Sequence, residues 1–250
     1  MNEASRWGGG SMVQAAPQTN RMALVKFLRT IPLLSFLPEQ ELHSIAPEVI
    51  EQQHANNEFV FRDGDSADWL YFVKHGVVRC LKYGPDGKGF ILKPLLPGDS
   101  FCCESVTFDQ SLPHPGNAQA MGNVTIVKLS RRTYLQLIEQ YPRAGPQVIT
   151  YLGNRLRESQ EMAKSLALDP AEKRLAALLV RLAEKVGVPS EQGVCITTVF
   201  TREDLGHMTG MTEETVVRIL SRWRESGLVS TAGGRNLLIP AIDSLKTLAG

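Results

Sequence analysis

The spacing of apolar positions divides the 250-residue chain into helical, extended and again helical stretches. Between Val25 and Leu42 apolar side chains recur at helical intervals: Phe27, Leu28 and Ile31, then Leu33, Leu34 and Leu37. Pro32 and Pro38 cut this stretch into short pieces. Pro38, with Glu39 and Glu41 behind it, opens a new helix, because proline lacks only an N–H that a first turn leaves unpaired. From about Glu51 to Leu129 the pattern shortens. Glu58–Phe61, Trp69–Val73, Val77–Leu81 and Phe90–Leu92 are rich in aromatic and β-branched residues. Asp63-Gly64, His75-Gly76, Asp86-Gly87 and Pro97-Gly98 read as turns, and their glycines fall 11 or 12 residues apart. That spacing predicts short antiparallel strands joined by tight turns, a small β-roll.

Helical period returns at Arg131, with a short helix to Gln140 stopped by Pro142 and a long one from about Pro146 to Leu168. On the long helix Val148, Leu152, Leu156, Ser159, Ala163 and Leu166 step by three or four residues. Such a stripe is a seam for a partner helix, or else a face packed on the β-roll. Leu168-Asp169-Pro170 breaks the helix and marks a domain boundary. Asp169 as N-cap, Pro170 at the first position and Glu172 then start another helix, buried along Leu175, Leu178, Leu179, Leu182 and Val186 and ended by Gly187. Pro189–Gly193 reads as a loop and Val194–Phe200 as a strand.

The segment Thr201–Leu228 carries the most information. Thr201 and Asp204 form a capping-box pattern for a short helix with Leu205 and Met208 inward. Gly210 supplies a turn. Thr212 caps a second helix with Val216, Ile219, Leu220 and Trp223 inward and Gly227 past its end. Two short helices around a glycine-containing turn match a helix-turn-helix. Beyond them Leu228–Thr231 and Asn236–Ile239 flank Gly233-Gly234 as a wing-like hairpin. The polar face of the second helix presents Glu213, Glu214, Thr215, Arg218 and Arg222. Arginine can pair with guanine O6 and N7, and glutamate can accept from cytosine N4. Glu214 and Arg218 are equally placed for an ordinary solvated ion pair four residues apart.

Composition changes this picture little. A chain 43% hydrophobic and 21% charged can bury a core, and a net charge of +1 does not by itself announce a nucleic-acid binder. From Pro170 onward ten basic residues face nine acidic ones, yet Arg202, Arg218, Arg222, Arg224 and Arg235 gather around the motif. No apolar run approaches the roughly 18 residues of a membrane span, so no membrane partner is expected. The first 20 residues lack signal-peptide features and read as a disordered leader outside the fold. Cys80, Cys102, Cys103 and Cys195 have neither C-x-x-C spacing nor the density of a secreted disulfide framework, which points to the cytoplasm. The expected fold is therefore α+β. Residues 1–20 read as leader, 21–145 as a jelly-roll-like antiparallel β-roll with flanking helices, 146–168 as a dimerisation helix, and 169–250 as a winged helix-turn-helix.

The run T-R-E-D-L-G-x-x-x-G-x-x-x-E-T-V-x-R-I-L resembles the DNA-binding signature of the Crp/Fnr superfamily of transcription regulators. The likeness extends from about Leu24 through Gly64, Gly76, Gly87, the Pro97-Gly98-Asp99 turn and the long central helix. It implies that Glu214 and Arg218 read bases, and that Thr201, Arg202, Thr212, Thr215 and Arg222 hold phosphates. Glu213 and Val217 depart from residues common in relatives, and that bears on the outer bases of a half-site. The partners so implied are a second copy of the chain joined through Leu152, Leu156, Ala163 and Leu166, a palindromic double-stranded DNA site, RNA polymerase if the protein activates, and an unidentified small-molecule effector.

The sensory end is less explicit. Cyclic-AMP-binding relatives grip the cyclic phosphate with an arginine, the natural bidentate partner of a phosphate. Here no arginine lies between Glu104 and Ala118, so cyclic-nucleotide control is not expected. No cysteine precedes Cys80, which excludes an N-terminal iron–sulfur cluster of the Fnr pattern. The expected effector pocket comprises Phe101, Cys102, Cys103, Glu104, His114 and Asn117 with Arg155 and Ser159 of the long helix. Its cysteines stand open to three readings, as packing residues, as a redox or metal sensor, or with His114 as haem ligands. The cofactor is left unknown. His54, His75 and His207 read as surface or packing residues. A cupin-type metalloenzyme would need paired histidines that this stretch lacks, so enzymatic activity is not expected. An effector-binding module acting through a protein partner would have no use for the helix-turn-helix.

Overall fold

The structure, a computed structural model, describes residues 18–83, 89–102, 113–197, 200–232 and 236–250. Two helices, α1 (Gln18–Arg29) and α2 (Glu39–Ile45), are joined through a 3-10 turn at Pro32–Leu34. Six strands follow: β1 (Ile50–His54), β2 (Phe59–Phe61), β3 (Trp69–Tyr83), β4 (Gly89–Leu95), β5 (Ser100–Phe101) and β6 (Asn117–Ser130). They form one antiparallel sheet in the order β1-β6-β3-β4, with β2 also on β6 and β5 also on β3. The long strands β3 and β6 are its spine.

Both faces of β3 are buried, which is why its sequence is nearly continuously apolar there. Leu70 and Phe72 point to one side, against Leu28, Ile31, Leu34 and Leu42 of the N-terminal helices, and against Tyr134 and Leu137. Tyr71 and Val73 point to the other, with Phe61, Val78, Leu95, Phe101, Val124 and Ile126 inside the roll. The two strands expected at Trp69–Val73 and Val77–Leu81 are thus one strand. His75-Gly76 is an irregularity in its pairing with β6 rather than a turn. Gly76 has φ +82, and a Cβ there would lie 2.5 Å from the Asn123 carbonyl oxygen. A glycine that reads as a hairpin signal can equally serve a bulge. Pro97-Gly98 is the turn expected, closed by a 2.9 Å hydrogen bond from Asp99 N–H to the Leu96 carbonyl.

Helix α3 (Arg131–Gln140), capped by Ser130, leads into α4 (Ala144–Leu168), whose 25 residues span roughly 37 Å. Helix α5 (Ala171–Val186) follows after the break at Asp169-Pro170. Its N-cap is Pro170, not Asp169. Asp169 instead ends α4 through its N–H, and its carboxylate lies 3.3 Å from Lys173. Gly187, expected to end the helix, and Pro189, expected to open a loop to Gly193, lie instead in β7 (Gly187–Ser190), paired with β8 (Gly193–Ile196). The strand expected to reach Phe200 stops at Ile196. Next come α6 (Arg202–Thr209), α7 (Glu213–Glu225), β9 (Ser230–Ala232), β10 (Asn236–Ile239) and α8 (Ile242–Ala249), the last unmarked by the sequence pattern. The small sheet runs β7-β8-β10-β9. One apolar cluster crosses the boundary between the two halves. It joins Val77, Leu81, Ile91, Leu96 and Met121 of the roll to Leu175, Leu179, Leu205, Val216, Ile219, Leu220 and Trp223.

Candidate nucleic-acid interface and effector pocket

The helix-turn-helix is built by its caps. The Thr201 hydroxyl donates to Asp204 Oδ2 at 2.8 Å and accepts from the Asp204 N–H at 3.0 Å, while the Thr201 N–H donates to the same carboxylate at 2.9 Å. Thr212 accepts from the Thr215 N–H at 3.3 Å. Gly210 closes α6 in the left-handed region, φ +62. Inside α6, Gly206 lets the turn come close: a Cβ there would be 2.7 Å from the Met211 carbonyl oxygen. Arg174 of α5 reaches over the end of α6, donating to the Thr209 carbonyl at 2.8 Å and to the Asp169 carbonyl at 2.7 Å. Gly206 stands in the signature run without a role read from it, and Arg174 was not singled out, because each acts on a backbone group supplied by another turn.

Helix α7 buries Val216, Ile219, Leu220 and Trp223 and turns Glu213, Glu214, Val217 and Arg218 to solvent, with Thr215 half-buried. Among the described residues no ion pair closes Glu214 onto Arg218, so both side chains stand ready for other partners. The acids in its first turn and Arg222 and Arg224 in its last complement the helix dipole. Arg222, one of the residues expected at phosphates, is paired with Glu172 of α5. Arg202 is half-buried, and burial first, then the neighbouring Arg224, pushes its pKa down.

Asp204 has a second partner, not anticipated from the sequence. Its Oδ1 accepts from Arg79 of β3 at 2.7 Å, and the Arg79 guanidinium also donates to Gln119 Oε1 and Asn57 Oδ1 at 3.0 and 3.1 Å. Both side chains are largely shielded, at 21% and 8% exposed. The first turn of the helix-turn-helix is therefore tied to the β-roll.

A cavity of about 580 Å³ lies between the β-roll and α4. Phe101, Cys102, Asn117, Arg155 and Ser159, all expected there, line it, as do Ala163 and Leu166 from the expected seam. Cys102 is buried and adopts φ +59. His114 does not line the cavity. It is buried against Phe61, ring on ring at 3.6 Å and 10°. Cys103 and Glu104 lie outside the described residues. The structure adds Lys93 of β4, which sits 4.0 Å from Glu158. Burial, then the adjacent Arg155, pushes the Lys93 pKa down. The seam residues divide: Leu152 packs on the N-terminal core, Leu156 is 61% exposed, and Ala163 and Leu166 face the cavity.

Among the described residues no helix is long and apolar enough to cross a membrane. Two family models match the chain, a cyclic nucleotide-binding domain over residues 51–141 and a Crp-like helix-turn-helix domain over residues 173–248. The chain is 27% identical over 211 residues to the regulatory protein HlyX of Actinobacillus pleuropneumoniae, covering 84% of this chain and 86% of that protein. It is 28% identical over 199 residues to the fumarate and nitrate reduction regulatory protein of Vibrio cholerae, covering 79% and 78%. Among solved structures, FixK2 of Bradyrhizobium japonicum shares the fold with a TM-score of 0.68 at 22% identity, over 81% of this chain and 98% of that one. A CRP-family transcriptional regulator of Thermus thermophilus superposes with a TM-score of 0.66 at 26% identity, over 80% and 96%. A sensory β-roll and a Crp-like helix-turn-helix in this order on one chain identify it as a member of the Crp/Fnr family, whose members are DNA-binding transcription regulators and not enzymes.

Proposed function

We propose that the protein is an effector-responsive, sequence-specific regulator that acts in the cytoplasm as a homodimer on a palindromic duplex, without control by cyclic AMP. The exposed row Glu213, Glu214, Val217 and Arg218 on a doubly capped α7 carries the reading. In a major groove Arg218 would take guanine O6 and N7 and Glu214 a cytosine amine on the facing strand, giving a T-G-A-like core by family resemblance. Thr201, Arg202, Thr212 and Thr215 would hold phosphates. Arg202 is suited to that task, since a phosphate relieves a guanidinium that burial and Arg224 disfavour. Arg222 would first exchange Glu172 for a phosphate, a small cost for a surface pair. The absence of any arginine between Glu104 and Ala118 argues against a cyclic-phosphate ligand. RNA polymerase becomes a partner if the protein activates.

Two recognition helices of a dimer would enter successive major-groove faces about 34 Å apart. Selection on randomised duplex DNA tests the reading with two variants. Arg218→Ala should cost about 1–3 kcal/mol per half-site and relax preference at one guanine. Arg202→Ala should weaken all sequences nearly alike and flatten the salt dependence, because a phosphate contact carries no base information. If Arg218→Ala selects the unmodified consensus, α7 does not read bases through this pair.

A further inference from the structure

We propose that Arg202 and Arg224 together clamp one phosphate of the DNA backbone, at the junction of α6, α7 and the wing. The proposal rests on the DNA-binding reading above and adds Arg224, which lies beyond the signature run, as a binding residue. The two side chains share a recess with Thr231 of β9 and Asn236 of β10, lined beneath by the buried Leu179, Ile196 and Leu205. The recess holds about 20 Å³, room for about one water. An organic effector does not fit inside it, so an anion meets the two arginines only across its mouth, as a phosphate presented by a larger polymer would.

Neither guanidinium makes an ion pair or a side-chain hydrogen bond among the described residues. Other arginines of this region are answered: Arg222 pairs with Glu172, and Arg174 donates to the Thr209 and Asp169 carbonyls. The acids adjacent in sequence, Glu203 and Glu225, are exposed and pair with neither arginine, and Glu203 stands 4.0 Å from His207 instead. Arg202 is half-buried, and the charged neighbour acting on it is Arg224, which pushes its pKa down in the same direction as burial. Two like charges held together where water is partly excluded oppose each other in the free protein. A phosphate between them reverses the sign, since it accepts charge-assisted hydrogen bonds from both sides. Their placement fits a DNA backbone. Arg202 is the first residue of α6, where the helix dipole favours an anion, and Thr231 and Asn236 belong to the paired strands of the wing. Arg224 lies in the last turn of α7, at the opposite end from Glu213 and Glu214. The clamp therefore grips the backbone away from the base-reading row and carries no base information.

Binding of the full chain to a short duplex of arbitrary sequence, measured across a potassium chloride series, provides the test. Arg224→Glu places a carboxylate beside Arg202 and should take both arginines from the phosphate. Binding at low salt should then weaken roughly tenfold or more, and the slope of log affinity against log salt should flatten by about 0.9 for each protomer. Arg224→Gln should have a smaller effect in the same direction, and Arg224→Lys should retain most of the affinity. Arg132→Glu makes the same change of net charge at an exposed position of α3 and should leave the slope nearly unchanged. Circular dichroism of each variant separates loss of the clamp from loss of the fold. Equal slopes for folded Arg224→Glu and Arg132→Glu proteins would overturn the proposal. Selection on randomised DNA keeps the two readings apart. If a palindrome is selected and Arg224→Glu behaves as Arg132→Glu, only the clamp is wrong; if no sequence is preferred while Arg224→Glu alone flattens the slope, the clamp stands and the sequence-specific reading fails.

Discussion

The Asp204 carboxylate holds the first turn of α6 through Thr201 and, from its other oxygen, the guanidinium of Arg79 in the β-roll, 125 residues away in the chain. The capping box was legible from Thr201 and Asp204 alone, since it needs only residues three apart. The ion pair was not, because nothing local distinguishes Arg79 from any other basic strand residue. Separate substitutions divide the two roles. Arg79→Gln keeps the cap and removes the ion pair, and should cost about 1–3 kcal/mol in urea unfolding. Asp204→Ala removes both and strands a largely shielded guanidinium, so its cost should be larger, about 3 kcal/mol or more. An Arg79→Gln protein as stable as the unmodified chain would mean that the pair between the two halves contributes nothing. The sensory residues show the same divide: Phe101, Cys102, Asn117, Arg155 and Ser159 meet at the cavity as expected, whereas His114 is taken into the core by Phe61.

At the scale of elements, α7 depends on Thr212 for its start and on its inward apolar row for its place. Thr212→Ala should cost about 1 kcal/mol of stability, because the Thr215 N–H loses its acceptor. Thr212→Asp separates that role from the proposed phosphate contact. Aspartate caps as well as threonine, so thermal unfolding should change little, while DNA affinity should fall because a carboxylate would meet phosphate. If Thr212→Asp binds DNA as tightly as the unmodified chain, Thr212 does not face the backbone. Element boundaries follow from how far their causes reach. Helix α3 is found where its period and Pro142 put it. Strand β7 escaped detection since Gly187 and Pro189 are poor strand residues and only pairing with β8 extends them.

For the whole molecule the proposed homodimer raises the question of where α4 would meet a second copy. Ile149 and Leu156, seven residues apart, are 72% and 61% exposed, while Val148, Tyr151 and Leu152 pack on the N-terminal core. Two turns of one helix face are thus left for a partner. Leu156→Asp should give monomers by light scattering at micromolar concentration, since pairing would bury an unpaired carboxylate. Leu152→Asp should instead damage folding, because its side chain already has an intramolecular place. A Leu156→Asp protein that stays dimeric moves the contact away from this face.

Periodicity and capping belong to the sequence because they act over two to four residues. They yielded the β-roll between helices, the long α4, the break at Asp169-Pro170, and the two capped helices whose outward residues carry the family signature. Whether Gly76 turns or bulges, whether Leu152 faces outward, and where Lys93 and Arg79 find their partners were decided only in three dimensions. Each depends on a group brought from a distant part of the chain: the Asn123 carbonyl over Gly76, the N-terminal core beneath Leu152, Arg155 beside Lys93, and Asp204 beside Arg79. Packing and charge pairing between remote segments follow from how the layers stack, and no local pattern of residues encodes that.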